Sequence, residues 1–298
     1  MTQRKGLIMK GIGGFYYVND GKKVYECRGK GNLKKSHNKL LVGDHVLFDV
    51  ISEEEGTGNI TEILERGNSL IRPEIANVDQ IFLLFSAASP RPNYDMLNRY
   101  LVMVYDTGIP VHLVVNKSEL VSEEERSEIS AAFFNTIYPV HFISVKEDIG
   151  LKELKDLMKN KVTALSGPSG VGKSSLMNAL LSEEIAETGE LSKKISRGKN
   201  TTRHSEIFET GDSTYVFDTP GFTSVEPYFI KEEELPCYFD EFLPLISSCK
   251  FLASCRHMQE KTCDCAVKRA VEEGKISGVR YDSYVAIRNY LSDIRRYS

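Results

Sequence analysis

The sequence of 298 residues lacks any apolar run long enough to cross a membrane. Its most apolar stretches, "IFLLF" and "YLVMVY", are far shorter than the ~18 residues that a membrane helix needs. The opening "MTQRKGLIMKGIGG" lacks the apolar core of a secretory signal. Internal repeats and low-complexity segments are also missing. We therefore expect a cytoplasmic protein that neither spans a membrane nor is exported.

Cysteine is scarce outside one short segment, where Cys249, Cys255, Cys263 and Cys265 surround His257. In a cytoplasmic protein such a cluster favours a metal site over disulfides. Three thiolates and one imidazole predict a closed tetrahedral site of the structural kind, holding one Zn²⁺ per chain; buried free thiols are the alternative. Cys265 is the favoured fourth ligand because it precedes the helix "AVKRAV", whose N-terminal end stabilises a thiolate. Cys263, which is nearer to His257 in the sequence, is the alternative fourth ligand.

Acidic residues are rare in the first 43 residues, which hold ten Lys and Arg against Asp20 and Glu26 in a chain of net charge −4. A basic arm on an otherwise acidic chain indicates a polyanionic partner. A solvated lysine-rich face is the alternative. The side chains expected to meet phosphates are Arg28, Lys30, Lys34 and Lys35.

Residues 1–72 alternate short apolar runs with Gly, Asn and Asp. The sequence "NDGK" between "FYYV" and "VYEC" is typical of a β-hairpin turn, and "VLFDV" is a further predicted strand. Several short strands in a basic segment predict a small OB-like barrel that binds RNA. An SH3-like barrel would give the same pattern.

Residues 73–228 alternate apolar strands with helices, and this alternation predicts a mostly parallel sheet with helices on both faces. The predicted strands are "VDQIFLLFSAA", "IPVHLVV", "YPVHFISV", "KVTALSG" and "STYVFDTPG". Residues 229–298 contain the cysteine cluster and two helical stretches, so they are predicted to form a mostly helical zinc-binding domain.

The segment "LSGPSGVGKSSLMNALL" carries the pattern G-x-x-x-x-G-K-[ST] between a predicted strand and a predicted helix. In this pattern backbone N–H groups surround the phosphates, and the positive end of the helix faces them. Lys173 is expected to contact the β- and γ-phosphate oxygens, and Ser174 to ligate Mg²⁺. The predicted nucleotide-binding residues of the segment are Gly167, Pro168, Ser169, Gly170, Val171, Gly172, Lys173, Ser174 and Ser175.

The sequence "VFDTPG" places Asp218 at the end of a predicted strand and Gly221 just after it. Asp218 is expected to hold Mg²⁺ through water, and the N–H of Gly221 to detect the γ-phosphate. In "SRGKNTTRHSEIF", Thr202 is the first choice and Thr201 the second to complete the magnesium shell when the γ-phosphate is present. Lys173, Thr202, Asp218 and Gly221 are therefore the predicted catalytic residues.

The sequence "NKSE" follows the strand "VHLVV" and is similar to the guanine-reading pattern N-K-x-D. Asn116 is predicted to bond the Hoogsteen edge of the purine and Lys117 to lie over its ring. Glu119, in place of the usual Asp, would accept from the paired N–H donors that guanine alone presents. The loop in "HFISV" would approach the guanine O6. The predicted guanine-binding residues are Asn116, Lys117, Ser118, Glu119, Ser144 and Val145.

The guanine-reading motif precedes the phosphate loop, whereas most nucleotide-triphosphate enzymes with both motifs have the opposite order. This order predicts a circularly permuted GTPase domain. The helix "GLKELKDLMKN" would then join what are the two ends of an unpermuted domain. Such rewiring is tolerated because chain ends often lie close together.

With these motifs placed, the whole chain resembles the RsgA (YjeQ) family of ribosome small-subunit-dependent GTPases. The resemblance rests on the barrel, on the order NKSE–ISV–GPSGVGKSS–NTTR–DTPG and on the tail from "SSCKFLASCRH" to "RYDSY". It implies a monomeric GTPase that binds the 30S subunit and its 16S rRNA, is activated by the subunit late in its maturation, and helps to release assembly factors.

The chain departs from the family pattern at a position that bears on catalysis, because Asn200 stands where the family usually has a His that is a candidate catalytic residue. The resemblance therefore leaves the group that positions the attacking water unassigned. The spacing of the cysteine cluster is also longer than usual in the family. An alternative function is an RNA-binding ribosome-assembly module whose nucleotide switch is slow and nearly non-hydrolysing. The cofactors expected are GTP or GDP, Mg²⁺ and Zn²⁺.

Overall fold

The structure, a computed structural model, describes residues 2–30, 39–71, 73–188, 206–211, 213–219, 221–222 and 224–297. Within these ranges the strands are, in chain order, β1 (Gln3–Ile12), β2 (Phe15–Asn19), β3 (Val24–Gly29), β4 (His45–Ser52), β5 (Thr57–Ile63), β6 (Ser69–Ile71), β7 (Glu74–Ala76), β8 (Gln80–Ser86), β9 (Val111–Asn116), β10 (Val140–Phe142), β11 (Val162–Ser166), β12 (Glu206–Glu209) and β13 (Tyr215–Asp218). The helices are α1 (Tyr94–Val104), α2 (Glu123–Ala131), α3 (Leu151–Met158), α4 (Lys173–Thr188), α5 (Leu243–Ile246), α6 (Ala266–Glu272) and α7 (Gly278–Tyr297).

The described part of the chain divides into two compact units, and each contains part of the predicted GTPase domain. The first unit comprises Met1–Leu83, Leu151–Ser166 and Gly172–Gly221. The second comprises Leu84–Gly150, Gly167–Val171 and Phe222–Ser298. The predicted domain boundaries at residues 72 and 228 stay a prediction.

The first unit begins with a closed β-barrel, formed among the described residues by five strands. Their order is β1-β2-β3-β5-β4, and β4 pairs back with β1. The predicted "NDGK" turn joins β2 to β3, where Asn19 pairs with Val24. This closed five-stranded order confirms the OB-like barrel. Alternate residues of each strand fill its interior, namely Ile8, Val18, Tyr25, Cys27, Val46, Phe48, Val50 and Ile60.

The first unit continues into a parallel sheet, in which β11 lies between β8 and β13 and runs parallel to both. All seven residues of β8 are buried, as expected for a parallel strand covered on both faces. β12 runs antiparallel to β13. The barrel strand β1 pairs with β12 at Lys10 and Glu206, whose side chains also form a salt bridge of 3.2 Å. One strand therefore belongs to both the barrel and the sheet.

The second unit contains the parallel pair β9 and β10, and the helices α1, α2, α5, α6 and α7. Asn93 caps α1 through a hydrogen bond to the N–H of Met96, and Ser122 and Glu125 form a capping box at the start of α2. Val102 of α1 packs into the core of the C-terminal region, whose other buried members are Ile230, Leu235, Phe239, Phe242, Cys249, Cys255, Cys265, Ala266, Val267, Ala270, Ile276, Tyr284, Ile287 and Leu291.

The predicted strands of the α/β segment are present. Three short strands were missed, of which β6 lies in the N-terminal segment and β7 and β12 lie in the α/β segment. β6, β7 and β12 are only three or four residues long, too short to show a clear alternation of polar and apolar residues. Among the described helices, none combines the length and the hydrophobicity needed to span a bilayer.

Candidate nucleotide and metal sites

The phosphate loop follows β11, and its backbone has conformations that favour glycine. Gly167 has a φ of +148°, and a Cβ atom there would lie 2.0 Å from the carbonyl oxygen of Leu84. Gly170 and Gly172 also have positive φ angles, +81° and +99°. The carbonyl of Gly167 accepts a hydrogen bond of 3.3 Å from the N–H of Phe222. Because only glycine tolerates this approach at position 167, the pattern seen in the sequence reflects a backbone requirement.

Lys173 begins α4 and is only 8% exposed. Burial lowers the pKa of its ammonium group to about 8, and the carboxylate of Asp218 acts in the opposite direction. Asp218 ends β13 and is buried as well. The side chains of Ser174 and Ser175 are exposed in the first turn of α4. The first unit thus presents a buried cation, a buried carboxylate and an accessible hydroxyl, the groups predicted to contact phosphate and Mg²⁺.

Gly221 is exposed, and its contact with the γ-phosphate stays a prediction. The two threonine candidates, Thr202 and Thr201, lie outside the described residues, and so does Asn200. The threonine that would complete the magnesium shell therefore stays a sequence-based prediction.

Asn116 is buried at the end of β9 and holds together three segments of the second unit. Its Nδ2 donates to the carbonyl of Val171 at 2.9 Å, and its Oδ1 accepts from the N–H of Val145 at 3.3 Å. Its own carbonyl accepts from the N–H of Ala87 at 2.8 Å. Ser118, two residues further on, is fully buried. The asparagine therefore ties the loop segment Gly167–Val171 to the predicted guanine loop.

Lys117 and Glu119 offer two charges near these loops. Lys117 adopts the left-handed conformation, and its Nζ donates to the carbonyl of Gly170 at 3.1 Å. A hydrogen bond from Ser144 lowers the pKa of the Glu119 carboxyl, so Glu119 is ionised at neutral pH. Within the described residues, Glu119 Oε2 is buried and has no hydrogen-bond partner. A buried acceptor of this kind requires a donor, and guanine supplies donors at N1 and N2.

Four cysteine and histidine side chains converge in the C-terminal region. The ligand atoms of Cys249, Cys255, His257 and Cys265 all lie within 4.8 Å of one another. His257 Nδ1 is 3.7 Å from the sulfur of Cys249 and 3.4 Å from that of Cys265. Cys263 is exposed and lies outside this group.

The surroundings of the cluster suit a metal. Burial lowers the pKa of the His257 imidazole to about 4, so the ring is neutral at pH 7, the form that ligates metals. Burial raises the pKa of the thiols of Cys255 and Cys265, so a nearby cation is needed to keep them as thiolates. The N–H of Ala266 points at the sulfur of Cys249 at 3.3 Å, a contact that favours the thiolate form.

Sequence reasoning missed the residues that hold the loop of the cluster in place. The hydroxyls of Tyr281 and Tyr284 donate to the carbonyls of His257 and Arg256, each at 2.8 Å. The available signal was "RYDSY" in a predicted helix, because tyrosines three residues apart share one helix face.

Comparison with known proteins gives matches along almost the whole chain. A family model described as RsgA GTPase matches residues 63–227, and one described as RsgA N-terminal domain matches residues 5–58. The "Small ribosomal subunit biogenesis GTPase RsgA" of Alkaliphilus metalliredigens is 43% identical over 98% of this chain and 99% of that protein. The protein of the same name from Agathobacter rectalis is 42% identical with the same coverage.

Two solved structures are also similar. The crystal structure of YjeQ from Thermotoga maritima has a TM-score of 0.79 and 31% identity, covering 97% of this chain and 99% of its own. The structure of YloQ, described as a circularly permuted GTPase, has a TM-score of 0.75 and 35% identity, covering 98% and 96%. These matches confirm the permuted order in which "NKSE" precedes the phosphate loop. The chain thus belongs to the RsgA GTPase family and is a GTP hydrolase.

Proposed function

We propose that this GTPase acts in the biogenesis of the small ribosomal subunit. The observation that carries the proposal is the similarity over 98% of the chain to relatives named for that role. The similarity is not confined to the residues that would bind nucleotide. It also covers the barrel and the C-terminal region, which are the parts available for a partner.

We propose that guanine is read by the second unit. Glu119 Oε2 would accept the N1–H and N2–H donors of guanine, and its lack of a partner within the described residues supports this. Asn116 carries a second Nδ2 hydrogen for the purine. Ser118 is buried and would support the guanine-binding loop from inside the protein. The loop at Ser144 and Val145 would approach the O6 atom of guanine.

We propose that the phosphates are bound by Gly167 to Ser175, with Lys173 at the β- and γ-phosphate oxygens. A buried ammonium with a pKa near 8 gains stability when phosphate oxygens replace the water it has lost. Mg²⁺ would be held by Ser174 and Thr202, with Asp218 behind a bound water, and would neutralise developing charge. Gly221 would detect the γ-phosphate.

We propose that Zn²⁺ is bound by Cys249, Cys255, His257 and Cys265. At a tetrahedral site with Zn–S of about 2.3 Å and Zn–N of about 2.0 Å, the nitrogen and sulfur ligands lie about 3.5 Å apart. The two N–S distances of 3.7 and 3.4 Å agree with that spacing. Such a site is structural, because four protein ligands leave no open position.

We propose that the partner is the 30S subunit, bound through 16S rRNA and in the presence of assembly factors, with the chain acting as a cytoplasmic monomer. The barrel offers part of the cationic surface. Arg28 lies 4.3 Å over the ring of Phe15, whereas Lys30 forms a salt bridge with Asp49. Lys34 and Lys35 lie outside the described residues.

GTP turnover with and without purified 30S subunits tests the proposal, with 50S subunits as the control. We expect slow turnover by the protein alone, marked stimulation by 30S subunits and none by 50S subunits. Lys173→Ala should abolish the stimulated rate. Equal turnover in all three conditions would reject a small-subunit GTPase. Tight 30S binding without stimulated turnover would favour the slow-switch module instead.

A further inference from the structure

We propose that Tyr100 is a positioning residue for GTP hydrolysis, and that its helix α1 transmits the nucleotide state to the zinc-binding region. The inference rests on the proposed function, because it requires Gly221 to detect the γ-phosphate. All contacts that carry it lie within the second unit.

The first contact is between α1 and the residue that follows Gly221 in the chain. The ring of Phe222 stacks on that of Tyr100, with centroids 5.1 Å apart and planes 11° apart. Phe222 also forms a parallel bridge with Pro168 of the phosphate loop. Tyr100 is 1% exposed, so its ring is fixed by packing. A shift of the peptide at Gly221 therefore acts directly on a side chain clamped between the phosphate loop and α1.

The second contact is made by Asn98. Because each residue of a helix turns by about 100°, Asn98 and Tyr100 face nearly opposite sides of α1. Asn98 Nδ2 donates to Ser283 Oγ at 2.8 Å, and its Oδ1 accepts from Arg280 Nη1 at 2.7 Å. Both partners belong to α7, and Asn98 and Arg280 are fully buried.

Further hydrogen bonds hold the α7 end of this network. Arg280 is held by Glu241 through two hydrogen bonds, of 2.7 and 3.1 Å. One turn further along α7, Tyr284 donates to the carbonyl of Arg256, next to His257. A displacement of α1 would break buried charged hydrogen bonds unless α7 moved with it, and breaking them is expensive. The zinc-binding loop therefore follows α1.

The first test is kinetic, on the full chain loaded with zinc. Tyr100→Leu removes the ring, Tyr100→Phe keeps it, and Tyr94→Leu is the matched control on the same helix, where the ring packs on Phe133 instead. We expect Tyr100→Leu to lower the 30S-stimulated kcat about threefold to tenfold, which corresponds to the free energy contributed by one aromatic stack. The KM for GTP should stay within about twofold of the wild-type value. Tyr100→Phe and Tyr94→Leu should keep the wild-type kcat. An unchanged kcat in Tyr100→Leu, or equal losses in both leucine variants, would overturn the positioning role.

The second test compares the wild-type chain with the variant Asn98→Leu. Hydrogen exchange of α7 and of residues 249–265 is compared with GDP and with a non-hydrolysable GTP analogue. We expect the two nucleotides to give different protection there, and Asn98→Leu to remove the difference while both nucleotides still bind. Identical protection in a protein that binds both nucleotides and hydrolyses GTP would overturn the transmission by α1 and leave the proposed function intact. Failure to bind or hydrolyse GTP would instead reject the proposed function.

Discussion

The hydroxyl of Tyr281 lies 2.8 Å from the backbone carbonyl of His257 and donates a hydrogen bond to it. His257 has a φ of +55°, an unusual conformation for a residue other than glycine. The contact joins α7 to the loop of the predicted zinc ligands and helps to hold His257 in that conformation.

Tyr281→Phe should therefore weaken zinc binding, because outer contacts that orient ligands are worth about tenfold to a hundredfold in metal affinity. Competition with a chromophoric chelator measures the change. Tyr290→Phe is the matched control, since that hydroxyl bonds Glu226 near the other end of α7. Equal zinc affinity of wild type and Tyr281→Phe would show that packing alone orients His257.

The fourth zinc ligand can be identified with two single variants. Cys265→Ser should lose most of its zinc, because Cys265 is fully buried within the cluster. Cys263→Ser should keep about one equivalent, because Cys263 is exposed. Metal analysis of the purified variants decides the matter. Full zinc in Cys265→Ser and loss in Cys263→Ser would reverse the assignment.

Guanine specificity should depend on the charge of Glu119. Glu119→Gln is expected to weaken GDP binding about tenfold to a hundredfold, the range for hydrogen bonds to a charged group. ADP binding should stay weak in both proteins. Glu147→Gln is the control, because Glu147 is exposed in the neighbouring loop. Isothermal titration with both nucleotides measures the effect, and an unchanged preference for GDP in Glu119→Gln would remove Glu119 from the guanine site.

Nucleotide affinity should depend on pH through Lys173. The pKa of Lys173 is lowered to about 8 by burial, and bound phosphates favour its charged form, so they raise this pKa. Binding therefore takes up a proton above pH 8. GDP affinity should be flat from pH 6.5 to about 7.5 and fall by up to tenfold per pH unit above 8. Lys173→Arg, whose side chain stays charged, should lose this slope. If the GDP affinity of the wild type did not change with pH, the pKa of Lys173 in the nucleotide-free protein would lie well above 8, against the prediction.

The position of the candidate nucleotide site was predictable where a few adjacent residues define it. The loop from Gly167 to Ser174 has a backbone requirement for glycine that leaves a fixed spacing in the sequence. The motif containing Asn116 and Glu119 likewise lies between a strand and a loop. Sequence spacing left Cys263 and Cys265 open as zinc ligands, and burial of Cys265 distinguishes them in the structure.

Contacts between distant residues were not predictable. Asn98 and Arg280 are 182 residues apart in the sequence, and neither belongs to a motif. In the sequence, a buried Arg with a polar partner cannot be distinguished from an exposed Arg. Periodicity predicts which face of a helix is buried, but it does not identify the element that packs against that face. The stack of Phe222 on Tyr100 was missed for the same reason.

The pairing of β1 with β12 has a consequence for shortened forms of the protein. Without residues 1–72, the N–H and C=O groups of β12 that face β1 would be uncovered. Exposed strand edges of this kind can form hydrogen bonds with strands of other chains. A fragment that begins at residue 73 should therefore associate with itself at concentrations where the full chain does not. The barrel would thus protect the edge of β12 from pairing with other chains, a role separate from any binding of RNA.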